Sequence, residues 1–213
     1  MLAVRKIALA VAPILILLLL CSCSQPSQPS AGNEPAAKAA EPAAPAGPVT
    51  AKTAYWEMHK AAYKWAPDVV VLRLTPKDVP GLATESGKAS VWEATFASSG
   101  KHAFCLFTYA VAAQPPDIYQ GVTVGKPIPW AGETRDVMSI DMSQVKVDSD
   151  AAYAAAAGDG EAWLKKNPEK KLTNFQLGYG YSFPAPVWYV LWGDQKSGYL
   201  AYVNATTGKV LKK

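Results

Sequence analysis

Two tryptophan pairs set the frame for this chain. Val91-Trp92 and Val187-Trp188 open apolar runs 96 residues apart, while Trp65 and Trp163, 98 apart, each close a helical pattern. Around each pair the same order of predicted elements returns, a helix and then three strands, which marks an internal repeat. A helix with one apolar stripe must cover a sheet, and strands joined by short turns pair antiparallel. The expected fold class is therefore α+β, two units of one helix packed on a three-stranded antiparallel sheet.

The first unit begins near Ala51. Tyr55, Met58, Ala62 and Trp65 share one helical face, and Pro67 ends the helix. Strands are predicted over Asp68–Leu74, Ser90–Ala97 and His102–Val111, with Ser99-Gly100-Lys101 turning the chain between the last two. In the second unit Asp148 and Asp150 offer caps to an alanine-rich helix, which Gly158-Asp159-Gly160 interrupts. A helical piece over Glu161–Asn167 stops at Pro168, and strands follow over Leu172–Tyr181, Val187–Trp192 and Gly198–Asn204. Thr173, Phe175, Leu177, Tyr179 and Tyr181 alternate onto one face of the first of these.

The leading residues say where the protein goes. Arg5 and Lys6 precede fourteen apolar residues, Ile7 to Leu20, broken by Pro13. A membrane span needs about 20, so this is the apolar core of a secretory signal. Leu20-Cys21-Ser22-Cys23 resembles a bacterial lipobox, which implies cleavage before Cys23, lipidation of that cysteine and a palmitate-bearing membrane anchor. Residues 1–22 are read as the signal and 23–50 as a Pro/Ala-rich tether too poor in large apolar groups to fold. The first unit spans 51–125, a connector 126–147, and the second unit 148–213. Cys105 is then the only thiol left, and it reads as a small buried hydrophobe.

Pro186-Val187-Trp188-Tyr189-Val190, and Tyr202 through Val210 with its Asn204-Ala205-Thr206-Thr207-Gly208-Lys209 turn, resemble the C-terminal half of a PepSY domain. Val147-Asp148-Ser149-Asp150-Ala151-Ala152 is similar to that family's helix entry. Asn204 stands where aspartate is usual, and an amide keeps the turn chemistry. The resemblance covers residues 147–211; residues 51–125 join it through the internal repeat alone. It implies cystatin-like, PepSY-like repeats in which one helix crosses a curved sheet. It also implies binding or peptidase inhibition and supplies no catalytic residues.

The chain itself offers little chemistry. It carries no HExxH, GxSxG, P-loop or GxGxxG stretch. Glu57 and His59, two apart on a helix, point to different faces, and both His59 and His102 read as surface or half-buried side chains. Asp148 and Asp150 lack the glycine of a calcium loop, since Tyr153 stands at the sixth position, so they read as helix caps. Glu133, Asp136, Asp159 and Glu161 read as solvated. Outside the signal, 19 Lys+Arg face 17 Asp+Glu, a net charge of +2 that gives no electrostatic hold on nucleic acid.

The aromatics are the remaining signal, at seven Trp and ten Tyr. Val187–Trp192 is apolar on both faces, so its aromatics lie buried where the units pack together, belong to a core strand simply rich in aromatics, or expose a surface for a partner. Trp188, Tyr189 and Trp192 are the candidate contacts. The expected function is non-enzymatic binding by a cell-envelope lipoprotein facing the periplasm or the cell exterior. The membrane is reached through Cys23, and the partner is an envelope protein, a peptide or a glycan. A peptidase inhibitor or propeptide-like chaperone is the alternative. No catalytic residue, cofactor or metal is expected.

Overall fold

The structure, a computed structural model, describes residues 47–211. The signal, the lipobox with Cys23 and most of the tether lie outside the described residues. Two helices of unequal regularity open the two halves of the body. α1 (Ala51–Trp65) buries Ala51, Ala54, Tyr55, Met58 and Ala62 on one stripe, as the spacing of its apolar residues predicts. It ends at Ala66, whose N–H still reaches the Ala62 carbonyl at 2.9 Å, because Pro67 has no N–H to carry the ladder further. α2 (Ser149–Asp159) and α3 (Glu161–Lys166) are separated at Gly160. A Cβ at that glycine would meet the Tyr199 ring at 2.5 Å, so the break lies where the chain packs tightly against that ring.

The strands are β1 (Val70–Pro76), the small hairpin β2 (Thr84–Glu85) and β3 (Lys88–Ala89), β4 (Val91–Ser98), β5 (Ala103–Ala110), β6 (Gly121–Val124) and β7 (Ile128–Pro129) in the first half. β8 (Leu172–Gly178), β9 (Val187–Trp192), β10 (Tyr199–Asn204) and β11 (Val210–Leu211) form the second. All but the small hairpin belong to one sheet, ordered β11-β10-β9-β8-β1-β4-β5-β6, with β7 beside β5. Every pairing is antiparallel. The α+β class is therefore as expected.

Separate three-stranded sheets are not what the structure shows. The two halves join edge to edge through β1 and β8, where Arg73 faces Gly178 and Leu74 faces Leu177. Each of those strands would otherwise present an open row of backbone groups, and pairing them closes both edges at once. Outward from this seam the sheet reads alike in both directions, β1-β4-β5-β6 on one side and β8-β9-β10-β11 on the other. The fourth strand of each arm was not expected.

Both helices lie on the same face. Trp92, Phe96, Phe107, Leu74, Leu177, Trp188 and Val190 are fully buried beneath them and belong to one continuous core. Matching bonds lock each arm: the Trp92 indole donates to the Val49 carbonyl and the Trp188 indole to the Val147 carbonyl, both at 3.0 Å. Each of those carbonyls lies two residues before a helix start. The helix starts also touch, since the Ala51 N–H donates to Ser149 Oγ at 2.9 Å and the Lys52 N–H to Asp148 Oδ1 at 3.1 Å.

On the helix-free face the arms differ. In the first half Val79, Val91, Ala110 and Ile118 pack together and fill it. In the second half residues 179–183 and the connector stand over it and leave a hollow.

A candidate binding cleft at the strand seam

The hollow begins where β1 and β8 part. A bulge between Val71 and Arg73 shifts the register of β1, and such a bulge re-aims the side chains around it. Val71 stays in the helix-side core while Arg73 is exposed on the open face. Beyond Gly178 the two strands no longer pair, and the connector enters the gap. Ile140 N–H bonds the Val71 carbonyl at 2.8 Å, and Met138 N–H bonds the Tyr179 carbonyl at 3.0 Å. The residues expected as a plain connector thus form a wall.

The loop after β8 is bonded to that wall and continues it. Tyr181 N–H donates to the Arg135 carbonyl at 2.9 Å, and the Arg135 guanidinium lies 4.7 Å from the centre of the Tyr181 ring. That spacing is within the range of an attractive cation–ring contact. Gly180 is needed at this point, since a Cβ there would meet the Asp136 carbonyl oxygen at 2.9 Å. Phe183 packs on Tyr202 at 4.8 Å between ring centres, and Tyr202 meets Tyr189 edge-on at 5.4 Å.

The result is an open cleft of about 190 Å³. Leu72, Arg73, Gln176 and Tyr189 contribute from the strands, and Arg135, Tyr181 and Phe183 from the wall. The four ion pairs among the described residues are Lys60–Glu57, Lys77–Glu93, Lys165–Glu161 and Lys170–Asp194, so neither arginine has a carboxylate within 4.0 Å. Asp136 is the acidic residue of the lining. The arrangement can hold an anion against aromatic walls. It brings together no nucleophile with a base, and no group of three potential metal ligands occurs among the described residues.

No protein-family model matches the chain, and no curated protein matches it. A crystal structure from Clostridium difficile 630 described as a "putative lipoprotein" is similar in shape. The two share 12% sequence identity over 75% of this chain and 90% of that one, at a TM-score of 0.44.

Of the three aromatics picked from sequence, the structure puts two elsewhere. Trp188 is 0% and Trp192 4% exposed, both on the helix side of β9. Trp188 stacks on Phe175 at 5.1 Å, and Trp192 packs on Tyr153 at 5.7 Å. Their rings are core under α2 and are closed to a partner, which corrects the expectation for both. The physical reason is that one helix face suffices to cover them once the arms join by their edges. Tyr189, on the other face of the strand, is half-buried in the cleft. Cys23 lies outside the described residues.

The other residues weighed from sequence also find their places. Cys105 is fully buried and its Sγ donates to the Gly125 carbonyl, with burial pushing the thiol pKa up. His59 is half-buried among Tyr55, Trp56, Tyr63 and Phe96, and burial holds its pKa below the usual value. Exposed Trp56 and Tyr63 flank it on α1. His102 is exposed in the β4–β5 turn with φ of 49°, so β5 starts one residue later than expected.

Asp148 caps α2 through the Ser149 N–H at 2.7 Å and also takes the Lys52 N–H from α1. Asp150 accepts from the Ala151 N–H at 2.8 Å. The four acids expected to be solvated are all exposed, and three of them also have partners. Asp159 accepts from the Tyr199 hydroxyl, Glu133 from the Ser139 N–H, and Glu161 pairs with Lys165.

Sequence reasoning passed over Arg73, Arg135, Tyr181 and Tyr202. One signal was available. The chain has 21 Lys+Arg, but Arg stands only at positions 5, 73 and 135.

Proposed function

We propose that this protein is a lipid-anchored component of the cell envelope whose folded body is a non-enzymatic binding module built of two PepSY-like, cystatin-like repeats. The seam cleft is its binding site. The observation that carries the reading is the cleft itself: an open hollow with aromatic walls and two arginines that no carboxylate neutralises. A few convergent polar groups in an apolar hollow are the usual make-up of a binding site.

Three further observations support it. The lipobox at Leu20–Cys23 and the Pro/Ala-rich tether suit a body held off a membrane by Cys23. Among the described residues no helix is long and apolar enough to cross a membrane. The like order of the two arms and their paired tryptophan–carbonyl bonds support the repeat. The Asn204 turn fits the resemblance as well, for Asn204 Oδ1 accepts from both Thr206 and Thr207 N–H at 2.9 Å and Gly208 takes φ of 75°.

The test uses the full-length chain in living cells. A photo-crosslinking residue in place of Tyr181, which is 69% exposed at the cleft mouth, captures a specific envelope partner or ligand on illumination. The same residue in place of Tyr63 on the far side of α1 does not. Equal capture from both positions, or from neither, would overturn the cleft as the binding site. Cys23→Ser removes incorporation of labelled fatty acid; a labelled Cys23→Ser chain would overturn the anchor.

A further inference from the structure

The distribution of arginine is unlike that of lysine. The chain has 18 lysines among its 21 Lys+Arg, spread along the sequence, and only two arginines outside the signal. Those two, Arg73 and Arg135, are 62 residues apart in sequence, yet both line the seam cleft, and no lysine does. One arrives through the bulge in β1, the other through the connector that crosses to residue 181. Solubility needs positive charge of either kind. A planar fork of donors is needed only where a planar oxyanion is to be held by paired hydrogen bonds, and lysine cannot supply it.

Resting on the reading of the cleft as the binding site, we infer that its ligand is the C-terminal carboxylate of a peptide whose last side chain is apolar or aromatic. The cleft side chains carry two positive charges against the one of Asp136, which matches a single negative charge on the ligand. A dianionic phosphate would meet Asp136 at greater cost. A volume of about 190 Å³ falls below the roughly 300–1,000 Å³ that encloses a whole small-molecule ligand. It suits the end of a chain whose remainder lies outside. Tyr181, which lines the cleft and is exposed, gives that terminal side chain an aromatic surface. Arg135, held over Tyr181, is ordered before the ligand arrives, which lowers the entropy lost on binding.

The probe is a panel of twenty N-acetyl-glycyl dipeptides, one for each final amino acid, prepared as free acids and as amides. The mature chain in detergent is titrated with each by calorimetry. Free acids ending in apolar or aromatic residues bind, and their amides bind at least tenfold more weakly. Arg73→Lys and Arg135→Lys each weaken the acids at least fivefold, and the double variant erases the preference of acid over amide. Both side chains are exposed, so the variants melt with the wild type and the loss is not one of folding. Amides that match the acids, no binding by any acid, or lysine variants that match wild type would each overturn the inference. So would displacement of a bound acid by equimolar inorganic phosphate or by phosphatidylglycerol vesicles. Capture at Tyr181 that persists in the double lysine variant would sink this inference and leave the binding site standing. No capture at Tyr181 in the wild type would sink both.

Discussion

The indoles of Trp92 and Trp188 occupy like positions in the two arms, but the carbonyls they hold are not equally served. The Val49 carbonyl also receives the Ala89 N–H at 3.0 Å, whereas the indole is the donor that reaches the Val147 carbonyl. Both rings are 0% exposed. Trp92→Phe should therefore cost about 1–3 kcal/mol through lost packing. Trp188→Phe should cost about 1 kcal/mol more, because a part-buried acceptor is left without its donor. Urea unfolding of the two variants measures the difference, and equal costs would show that the Val147 carbonyl finds another donor.

A second residue-scale effect sits in the β9–β10 turn. Asp194 accepts from the Ser197 hydroxyl and from the Ser197 and Lys196 N–H groups, with Lys170 at 3.8 Å, and its pKa falls from 3.8 to about 2. A depressed carboxylate pKa contributes stability that is present above pH 4 and lost as pH falls toward 2. Asp194→Asn should flatten the fall of melting temperature between pH 4 and pH 2, read by circular dichroism at each pH. An unchanged slope would show that Asp68 and Asp141, also held below the usual range, account for it. Caps and turns of this kind are legible in sequence because their bonds are local. Arg73 and Arg135 were not, since their meeting depends on a bulge and on a connector that no local pattern describes.

At the scale of elements, the start of α1 has no cap of its own, as the Thr50 hydroxyl meets that of Thr53 at 3.2 Å and serves no backbone N–H of the first turn. Its orphan N–H groups are served from α2 instead, by Ser149 Oγ and Asp148 Oδ1. Ser149 is fully buried. Ser149→Ala should thus destabilise the whole body by about 1–3 kcal/mol, the cost of a buried donor left without a partner. A loss confined to α2, seen by hydrogen exchange with α1 unaffected, would contradict this. The sequence shows why some elements were readable and others were not. β9 is found over Val187–Trp192 as its apolar run indicates. β8 stops at Gly178 rather than Tyr181 because Tyr179 and Tyr181 bond the connector. Thr173 leaves the apolar face because a register shift between Leu172 and Asn174 lets its hydroxyl reach the Leu191 and Gly193 carbonyls. β6 and β11, with only four and two residues, pair because a strand edge lies beside them rather than for any pattern of their own.

At the scale of the molecule, the two-faced apolar strand β9 suggests units that pack together, and the arms do so edge to edge. One core runs through both. Leu74 lies opposite Leu177 across the seam, and Trp92 approaches Phe175 at 6.5 Å. A unit of 60–65 residues is marginal by itself, and the one cysteine of the body, Cys105, is free. The cleft needs both arms too, drawing Arg73 from one and Tyr189 from the other, with Arg135 from the connector. Core and cleft both depend on the seam, and thermal unfolding of residues 148–213 beside residues 47–213, followed by circular dichroism, tests that dependence most directly. The longer chain should melt in one cooperative transition, and the isolated second half should aggregate or melt far lower, with the β8 edge and its share of the core open to water. An isolated half that is monomeric and as stable as the longer chain would contradict a shared core.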